Sequence, residues 1–227
     1  MDNQKTVLGK PVKYWLSIED FIGRAILIAR GAHLEGTRKG SGKPYITHPI
    51  NVMDLVSECT QTPDVLAAAV LHDVAEDTSV TIEDIRDIFS DRVAGIVKQV
   101  SEPDKSDTWK NRKTCAISSV GHMENDAALV VAADKIDNLK EALHQLKTRN
   151  EGEFWGNFNA PKDQQTWYHH GIADALLKRD PKHPLFIQVK ELATQVFGEV
   201  TEGNSGVLHT VGQRDVPGKA AVQTRAK

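Results

Sequence analysis

Apolar residues recur along most of the chain at the three- and four-residue spacing of an amphipathic helix. In residues 17–34 this spacing begins with Phe21, and in residues 126–147 it includes Leu129, Ala133 and Ile136. Residues at such spacing share one face of a helix, which can then pack against a core. No run of strand length alternates between apolar and polar residues. The pattern therefore predicts an all-α fold built as a helical bundle.

Capping and turn residues divide this pattern into separate helices. Ser17 with Glu19 and Asp20 is expected to begin the first helix, and Thr81 followed by Asp84 predicts another start. Residues 36–44 read as a glycine-rich basic loop, and residues 150–162 as an ordered loop or short helix. Further helices are predicted over residues 49–59, 63–77, 82–89, 91–101, 108–122, 164–179 and 184–198.

Composition sets the domain organisation and narrows the class of function. Hydrophobic residues make up 40% of the chain and charged residues 26%, enough apolar material for one core. We expect an N-terminal extension at 1–16, a single domain at 17–200, and a flexible tail at 201–227, where the sequence turns polar and glycine-rich. With a net charge of −3, no nucleic-acid partner is expected.

Membrane and redox features point to a soluble protein. No apolar run reaches the roughly 18 residues that a membrane span needs, and the first ten residues lack the apolar stretch of a signal peptide. The two cysteines, Cys59 and Cys115, form no C-x-x-C motif. We therefore expect a cytoplasmic location and no membrane partner.

The chemistry is concentrated in the string VLAAAVLHDVAEDT, where polar residues interrupt an apolar helix. His72 and Asp73 offer a nitrogen and an oxygen ligand to one divalent ion. Glu76 and Asp77 follow one helical turn later, where a carboxylate can exchange protons with water or a leaving oxygen. A His–Asp pair alone is common by chance, but burying four such groups without a partner would be costly.

Two further ligands complete a set of two imidazoles and two carboxylates. His48 lies in PYITHPI, just before a helix that Pro49 is expected to start, and Asp134 lies in the apolar string LVVAADKIDNL. Each has an alternative role, since His48 can cap its helix and Asp134 can pair with Lys135 or Arg38. A nitrogen and oxygen set without cysteine suits Mn²⁺, Fe²⁺ or Zn²⁺ at a catalytic site.

The strings AHLEGTRKGSGKPYITHPINV, LHDVAEDT and ADKIDNLKEAL together resemble the hydrolase domain of the RelA/SpoT alarmone enzymes, a branch of the HD superfamily. Without a synthetase domain, the chain is similar to the small alarmone hydrolases. The resemblance implies an HD-domain bundle that uses Mn²⁺ to remove pyrophosphate from the 3′ position of ppGpp or pppGpp, a phosphorylated nucleotide. It also implies that His48, His72, Asp73 and Asp134 hold the metal, and that Glu76 and Asp77 activate the attacking water.

The same resemblance implies a set of substrate contacts. Asn138 matches a substrate-site asparagine, and the loop segment supplies Arg30, Arg38 and Lys39. The string FNAPKDQQTWY looks like a segment that borders the nucleotide pocket, which adds Lys162 and Tyr168. Other cations that could hold a pyrophosphate are Lys43, Arg112 and Lys113.

Three other functions fit parts of the pattern. The nearest is a different HD enzyme, such as a nucleotide phosphatase or phosphodiesterase, which would release orthophosphate or cleave a diester. A second is a module that binds a nucleotide without cleaving it, although such a sensor has no need of Glu76 and Asp77. A third is a purely structural helical protein, which the buried pattern around His72, Asp73 and Asp134 disfavours.

Overall fold

The computed structural model describes residues 5–102 and 105–199, and nearly all regular structure in these ranges is helical. The predicted tail at 201–227 lies outside the described residues. The all-α prediction is confirmed, apart from a two-stranded hairpin near the N-terminus. The helices are α1 Val12–Leu16, α2 Phe21–Ala32, α3 Thr47–Ser57, α4 Pro63–Leu71, α5 Val74–Asp77, α6 Ile82–Ile88, α7 Asp91–Val100, α8 Trp109–Val120, α9 Asn125–Leu146, α10 Glu151–Gly156, α11 Lys162–Arg179 and α12 Pro184–Phe197.

Helix α9 is the longest helix of the described chain, with 22 residues, and forms the centre of the bundle. Its fully buried side chains include Val130, Ala133, Ile136 and Leu139, at the helical spacing that the sequence predicts. Helices α3, α4, α7, α11 and α12 all contact α9. Side chains that point inward from its middle therefore reach several other helices at once.

Two helices meet α9 at the site and differ from the prediction. The predicted helix over 63–77 is interrupted at His72 and Asp73, which separate α4 from α5. The Nδ1 atom of His72 donates to the Ala69 carbonyl at 2.8 Å. The imidazole thus occupies an acceptor that a backbone N–H would use if the helix continued. Helix α3 begins at Thr47 rather than Pro49, which puts His48 inside its first turn.

Helix starts follow local capping chemistry. Asp20 caps α2 by accepting a hydrogen bond of 3.0 Å from the Gly23 N–H, so this helix begins at Phe21 and not at Ser17 as predicted. At α6 the Thr81 hydroxyl accepts from the Asp84 N–H, and the Asp84 carboxylate accepts from the Thr81 N–H at 2.8 Å. This reciprocal pair is a capping box, as the sequence indicated.

The segment ahead of Ser17, predicted as an extension, packs onto the bundle where it is described. Strands β1 (Thr6–Val7) and β2 (Lys10–Pro11) pair antiparallel around a turn in which Gly9 has a φ of 71°. The Trp15 indole N–H donates to the Val7 carbonyl at 3.0 Å, and both side chains join the core. Among the described helices, none combines the length and the apolar composition that a membrane span requires.

Arg24 is a buried cation that joins α2 to two other segments. Its Nε donates to the Ile18 carbonyl at 3.0 Å, and its guanidinium also donates to the Ile88 carbonyl at 2.8 Å. The rings of Phe21 and Phe89 lie 5.9 and 5.7 Å from the guanidinium carbon. These bonds supply donors to the carbonyl of the last residue of α6 and to that of a residue just ahead of α2.

Replacing Arg24 by Met should destabilise the fold by about 1–3 kcal/mol, because the buried carbonyl of Ile88 and the partly buried carbonyl of Ile18 would lose their donors. Urea denaturation followed by circular dichroism measures this change. Arg30→Met is the matched control, since Arg30 lies exposed on the same helix, and its effect should stay within about 0.5 kcal/mol. Equal stability of the two variants would contradict the assigned role of Arg24.

Candidate active site

The two histidines of the site are fixed by hydrogen bonds to their Nδ1 atoms. His48, from α3, has Nδ1 2.6 Å from Oδ2 of Asp137, and His72 has Nδ1 2.8 Å from the Ala69 carbonyl oxygen. Because these partners only accept, Nδ1 carries the proton in each neutral ring and Nε2 presents a lone pair. The Nε2 atom of His72 is buried and has no hydrogen-bond partner among the described residues.

Two carboxylates face these Nε2 atoms. Oδ2 of Asp73 lies 3.5 Å from Nε2 of His48 and 3.1 Å from Nε2 of His72, while Oδ1 of Asp134 lies 3.3 and 4.0 Å from the same two atoms. Ligands about 2.1 Å from an ion lie roughly 3–4 Å from one another. His48, His72 and Asp134 form a group that could hold a metal ion, and Asp73 lies beside it. Acceptors that converge on one point fit a divalent cation.

Nearby groups keep these carboxylates ionised. Burial alone would raise the pKa of Asp134, yet the ammonium of Lys135, 2.7 Å from its Oδ2, together with the imidazoles, holds that pKa below its ordinary value. Burial also acts against the charged form of His48, but hydrogen bonds with neighbouring carboxylates outweigh it and raise the pKa of His48 to about 10. The site therefore binds positive charge strongly, whether a proton or a metal ion.

Glu76 and Asp77 line the same cavity as the ligand cluster, but with different exposure. Asp77 is exposed, and its Oδ1 lies 2.7 Å from the ammonium of Lys105. Glu76 is partly buried, and its Oε2 accepts a 3.2 Å hydrogen bond from the Glu102 N–H. Burial raises the pKa of Glu76 above 4.5, and this backbone bond only partly offsets the effect. Glu76 is thus the better placed of the two to exchange a proton.

Ion pairs of the Glu102 side chain with α8 fix the position of the Glu102 backbone. The Glu102 carboxylate, 8% exposed, forms ion pairs with Arg112 and Lys113 of α8. These bonds connect α8 to the segment after α7, and this segment supplies the N–H group that contacts Glu76. Two cations that the sequence offered for a pyrophosphate are therefore already paired with a carboxylate.

The cavity has a volume of about 670 Å³ and contains only part of the predicted substrate set. Arg38, Lys39, Asn138 and Tyr168 line it. Arg30 is exposed and does not belong to the lining, and the ammonium of Lys162 pairs with Glu151 outside it. The structure thus brings four of the six predicted substrate residues to the cavity and leaves two elsewhere.

Arg38 is also less available than the sequence suggested. It is buried, and its guanidinium donates to Asp137 at 2.7 Å and to Asn138 at 3.1 Å. Asn138 in turn donates to Oδ1 of Asp134. Two donors of the Arg38 guanidinium are therefore bonded within the protein, one to Asp137 and one to Asn138, which itself contacts Asp134.

Several residues of the site were missed from the sequence. The Tyr45 hydroxyl donates to Asp73 at 2.5 Å, and burial together with Asp73 raises the pKa of Tyr45. Asp137 and Glu102 were also not predicted. Asp137 stands three residues after Asp134 in the string DKID, so its helical spacing could have identified it. No sequence signal marks Tyr45 or Glu102, because their partners come from distant segments of the chain.

Comparison with known proteins identifies related sequences. SpoT of Escherichia coli (strain K12), a bifunctional (p)ppGpp synthase/hydrolase, is 47% identical over 90 residues, which are 38% of this chain and 13% of that protein. The guanosine-3′,5′-bis(diphosphate) 3′-pyrophosphohydrolase MESH1 of Drosophila melanogaster is 40% identical over 100 residues, covering 43% of this chain and 55% of that protein. The chain thus spans about half or less of the length of these two curated relatives.

A solved structure and a family model extend the match. The structure of a metazoan ortholog of SpoT, described as hydrolysing ppGpp, superposes with a TM-score of 0.68 at 30% identity. That alignment covers 80% of this chain and 98% of the other. The model of the HD domain family matches residues 25–153 of this chain. An HD hydrolase domain implies a site for a divalent metal ion. Since this match covers more than half of the sequence, the chain belongs to the HD domain family.

Proposed function

We propose that the protein is a metal-dependent hydrolase that removes pyrophosphate from the 3′ position of ppGpp or a close relative of it. The observation that carries this proposal is the convergence of His48, His72, Asp73 and Asp134, with Glu76 in the same cavity. Relatives that carry this activity by name support the choice of reaction and substrate.

In this proposal the four converging side chains hold one divalent ion, and that ion is Mn²⁺. Two imidazole nitrogens and two carboxylate oxygens suit Mn²⁺ as well as Fe²⁺ or Zn²⁺, so the choice rests on the resemblance to alarmone hydrolases. When bound, such an ion polarises a phosphoryl oxygen and lowers the pKa of water. The unpartnered Nε2 of His72 supports the site, since an ion would satisfy it.

The reaction consumes one water and breaks one bond. The water oxygen forms a new bond to the phosphorus attached to the 3′ oxygen, the bond between that phosphorus and the 3′ oxygen breaks, and ppGpp yields GDP and pyrophosphate. Glu76 accepts a proton from the water, because burial has raised its basicity and the Glu102 N–H fixes one of its oxygens. The 3′ oxygen takes up a proton as its bond to phosphorus breaks, and Glu76 together with Asp77, which lines the same cavity, supplies that proton.

Positive charge for the substrate comes mainly from the ion in this proposal. Three of the cations that line the cavity, Arg38, Lys113 and Lys135, are paired with carboxylates. Among the described residues, Lys39 and Lys98 are lining cations for which no ion pair within 4 Å is found. We propose Lys39 and Lys98, with Asn138 and Tyr168, as substrate contacts, and leave Arg30 and Lys162 out of the site.

The proposal also includes a cytoplasmic location. Cys59 and Cys115, the two cysteines of the chain, are both free and exposed. Exposed free thiols persist in a reducing compartment and tend to be oxidised outside it. This location is also where a nucleotide substrate would be met.

The decisive experiment incubates the purified protein with ppGpp, with and without Mn²⁺, and separates the products by ion-exchange chromatography. GDP and pyrophosphate should form only with the metal, and Asp73→Ala should lose this activity because it removes a proposed ligand. Asp54→Ala, at an exposed position of α3, is the control and should match wild type. Orthophosphate as the product would point instead to a phosphatase, and full activity of Asp73→Ala would refute the site.

Glu76→Gln tests the proton transfer separately from metal binding. It should lower kcat by about 10²- to 10⁴-fold, the usual contribution of a general base. Its affinity for Mn²⁺ should change little, because Glu76 is not among the converging ligands. Glu83→Gln, an exposed neighbour on α6, is the matched control. A Glu76→Gln enzyme with normal kcat would remove Glu76 from the mechanism.

The pH profile provides a further check on Glu76. A carboxylate must be ionised to accept a proton, and the pKa of Glu76 is raised above 4.5. Activity should therefore fall as the pH decreases through a value above 4.5. Lys105, 3.8 Å from Glu76, lowers that pKa, so Lys105→Ala should move the acidic limb of kcat to higher pH. Lys147→Ala, at an exposed position, should leave it in place, and an unmoved limb in Lys105→Ala would contradict the assignment.

A further inference from the structure

Asp137 lies where three segments of the chain meet beneath the proposed metal site. It belongs to α9, and its side chain is only 11% exposed. Its Oδ2 is 2.6 Å from Nδ1 of His48 and 2.7 Å from the Arg38 guanidinium, and its Oδ1 accepts from the Asn51 amide at 2.8 Å. Both carboxylate oxygens are therefore occupied by donors of the protein.

The position of Asp137 prevents it from being a ligand of the same ion as His48. It contacts Nδ1, whereas the converging carboxylates Asp73 and Asp134 face Nε2 on the other side of the ring. A carboxylate at Nδ1 fixes the proton there, orients the ring, and makes the other nitrogen a better electron donor. Asp137 thus meets the requirements of an outer partner of a metal-ligating histidine.

Arg38 and Asn51 hold the Asp137 carboxylate in place. A buried carboxylate that contacts only one imidazole would be poorly compensated, and the Arg38 guanidinium supplies the opposite charge. Asn51 lies three residues after His48 on α3, so the helix itself aligns the amide with the ring. We call the cluster of Arg38, Asn51 and Asp137 the His48 support. It contacts His48 through Nδ1 and leaves Nε2 free to bind the metal ion.

We propose that the His48 support positions the metal site, with Asp137 as the residue that fixes His48 and Arg38 as a structural counterion rather than a phosphate ligand. This inference rests on the metal site of the proposed function, but on neither its substrate nor its reaction. Arg38 and Asp137 are positioning residues in this account, since they act on the ion only through His48.

The test measures metal binding without nucleotide. Co²⁺ serves as the probe, because its visible absorption reports the arrangement of its ligands. Affinity is obtained by titration of the full chain against a competing chelator. Asp137→Asn should weaken Co²⁺ binding by about 10- to 100-fold, the usual effect of losing an outer partner, and should change the visible spectrum. Arg38→Met should weaken binding in the same direction, although Arg38 contacts no proposed ligand.

Asp126→Asn is the matched control, because Asp126 lies on the same helix and pairs with Arg92 at the surface. It should bind Co²⁺ as wild type does. Thermal unfolding by circular dichroism establishes the temperature at which every variant is folded, and binding is measured well below it. If Asp137→Asn does not fold, Asn51→Ala removes one bond of the same support and should weaken Co²⁺ binding to a smaller extent.

The outcomes separate this inference from the proposed function. Co²⁺ affinity and spectrum within about twofold of wild type in Asp137→Asn would overturn the inference, even if ppGpp is hydrolysed. Weakened binding in Asp137→Asn and Arg38→Met, without ppGpp hydrolysis by wild type, would uphold it and reject the substrate. Normal Co²⁺ binding by Arg38→Met with a raised KM for ppGpp would make Arg38 a substrate ligand instead. No Co²⁺ binding by wild type would overturn both proposals.

Discussion

Charged side chains are buried beneath the cavity, and each of them needs a partner of opposite charge or a hydrogen bond. Two imidazoles and several carboxylates lie within an apolar bundle, where an unpaired charge would cost several kcal/mol. Lys135 compensates Asp134, Arg38 compensates Asp137, and Tyr45 donates to Asp73. The Nε2 atom of His72 is left without a hydrogen-bond partner in the described chain. A metal cation at that point would interact with the Nε2 lone pair and with the nearby carboxylates. The need to pair buried polar groups therefore accounts for both the structure of the site and its proposed chemistry.

This constraint explains how the helices are arranged. α3 supplies His48, the interruption between α4 and α5 supplies His72 and Asp73, and α9 supplies Asp134. α3 and α4 both pack on α9 through small and branched side chains such as Val52, Ala68 and Ala133, all fully buried. Close packing of this kind resists small displacements, which keeps the converging atoms at distances set by the core.

Charge pairing also changes how the cavity can hold a polyphosphate. Cations next to a site are usually assumed to contact the substrate, but here most of them are bonded to carboxylates of the protein. These cations then keep the carboxylates ionised and in place. For example, Arg112 and Lys113 hold the side chain of Glu102, whose backbone N–H donates to Glu76. An anionic ligand would be drawn chiefly by the ion, which makes metal and substrate binding interdependent.

The helical class and most helix limits could be predicted from the sequence alone, because helical periodicity and capping are local properties. The four proposed metal ligands were likewise offered by their motifs, since polar residues interrupt apolar helices there. Local signals also account for α6 and the long helix α9. The break at His72, the partners of Arg38 and the contacts of Tyr45, Asp137 and Glu102 became visible only in the folded chain. Those features depend on side chains from distant segments that meet across the bundle. Spacing along one helix indicates which residues share a face, but not which donor or acceptor that face will meet.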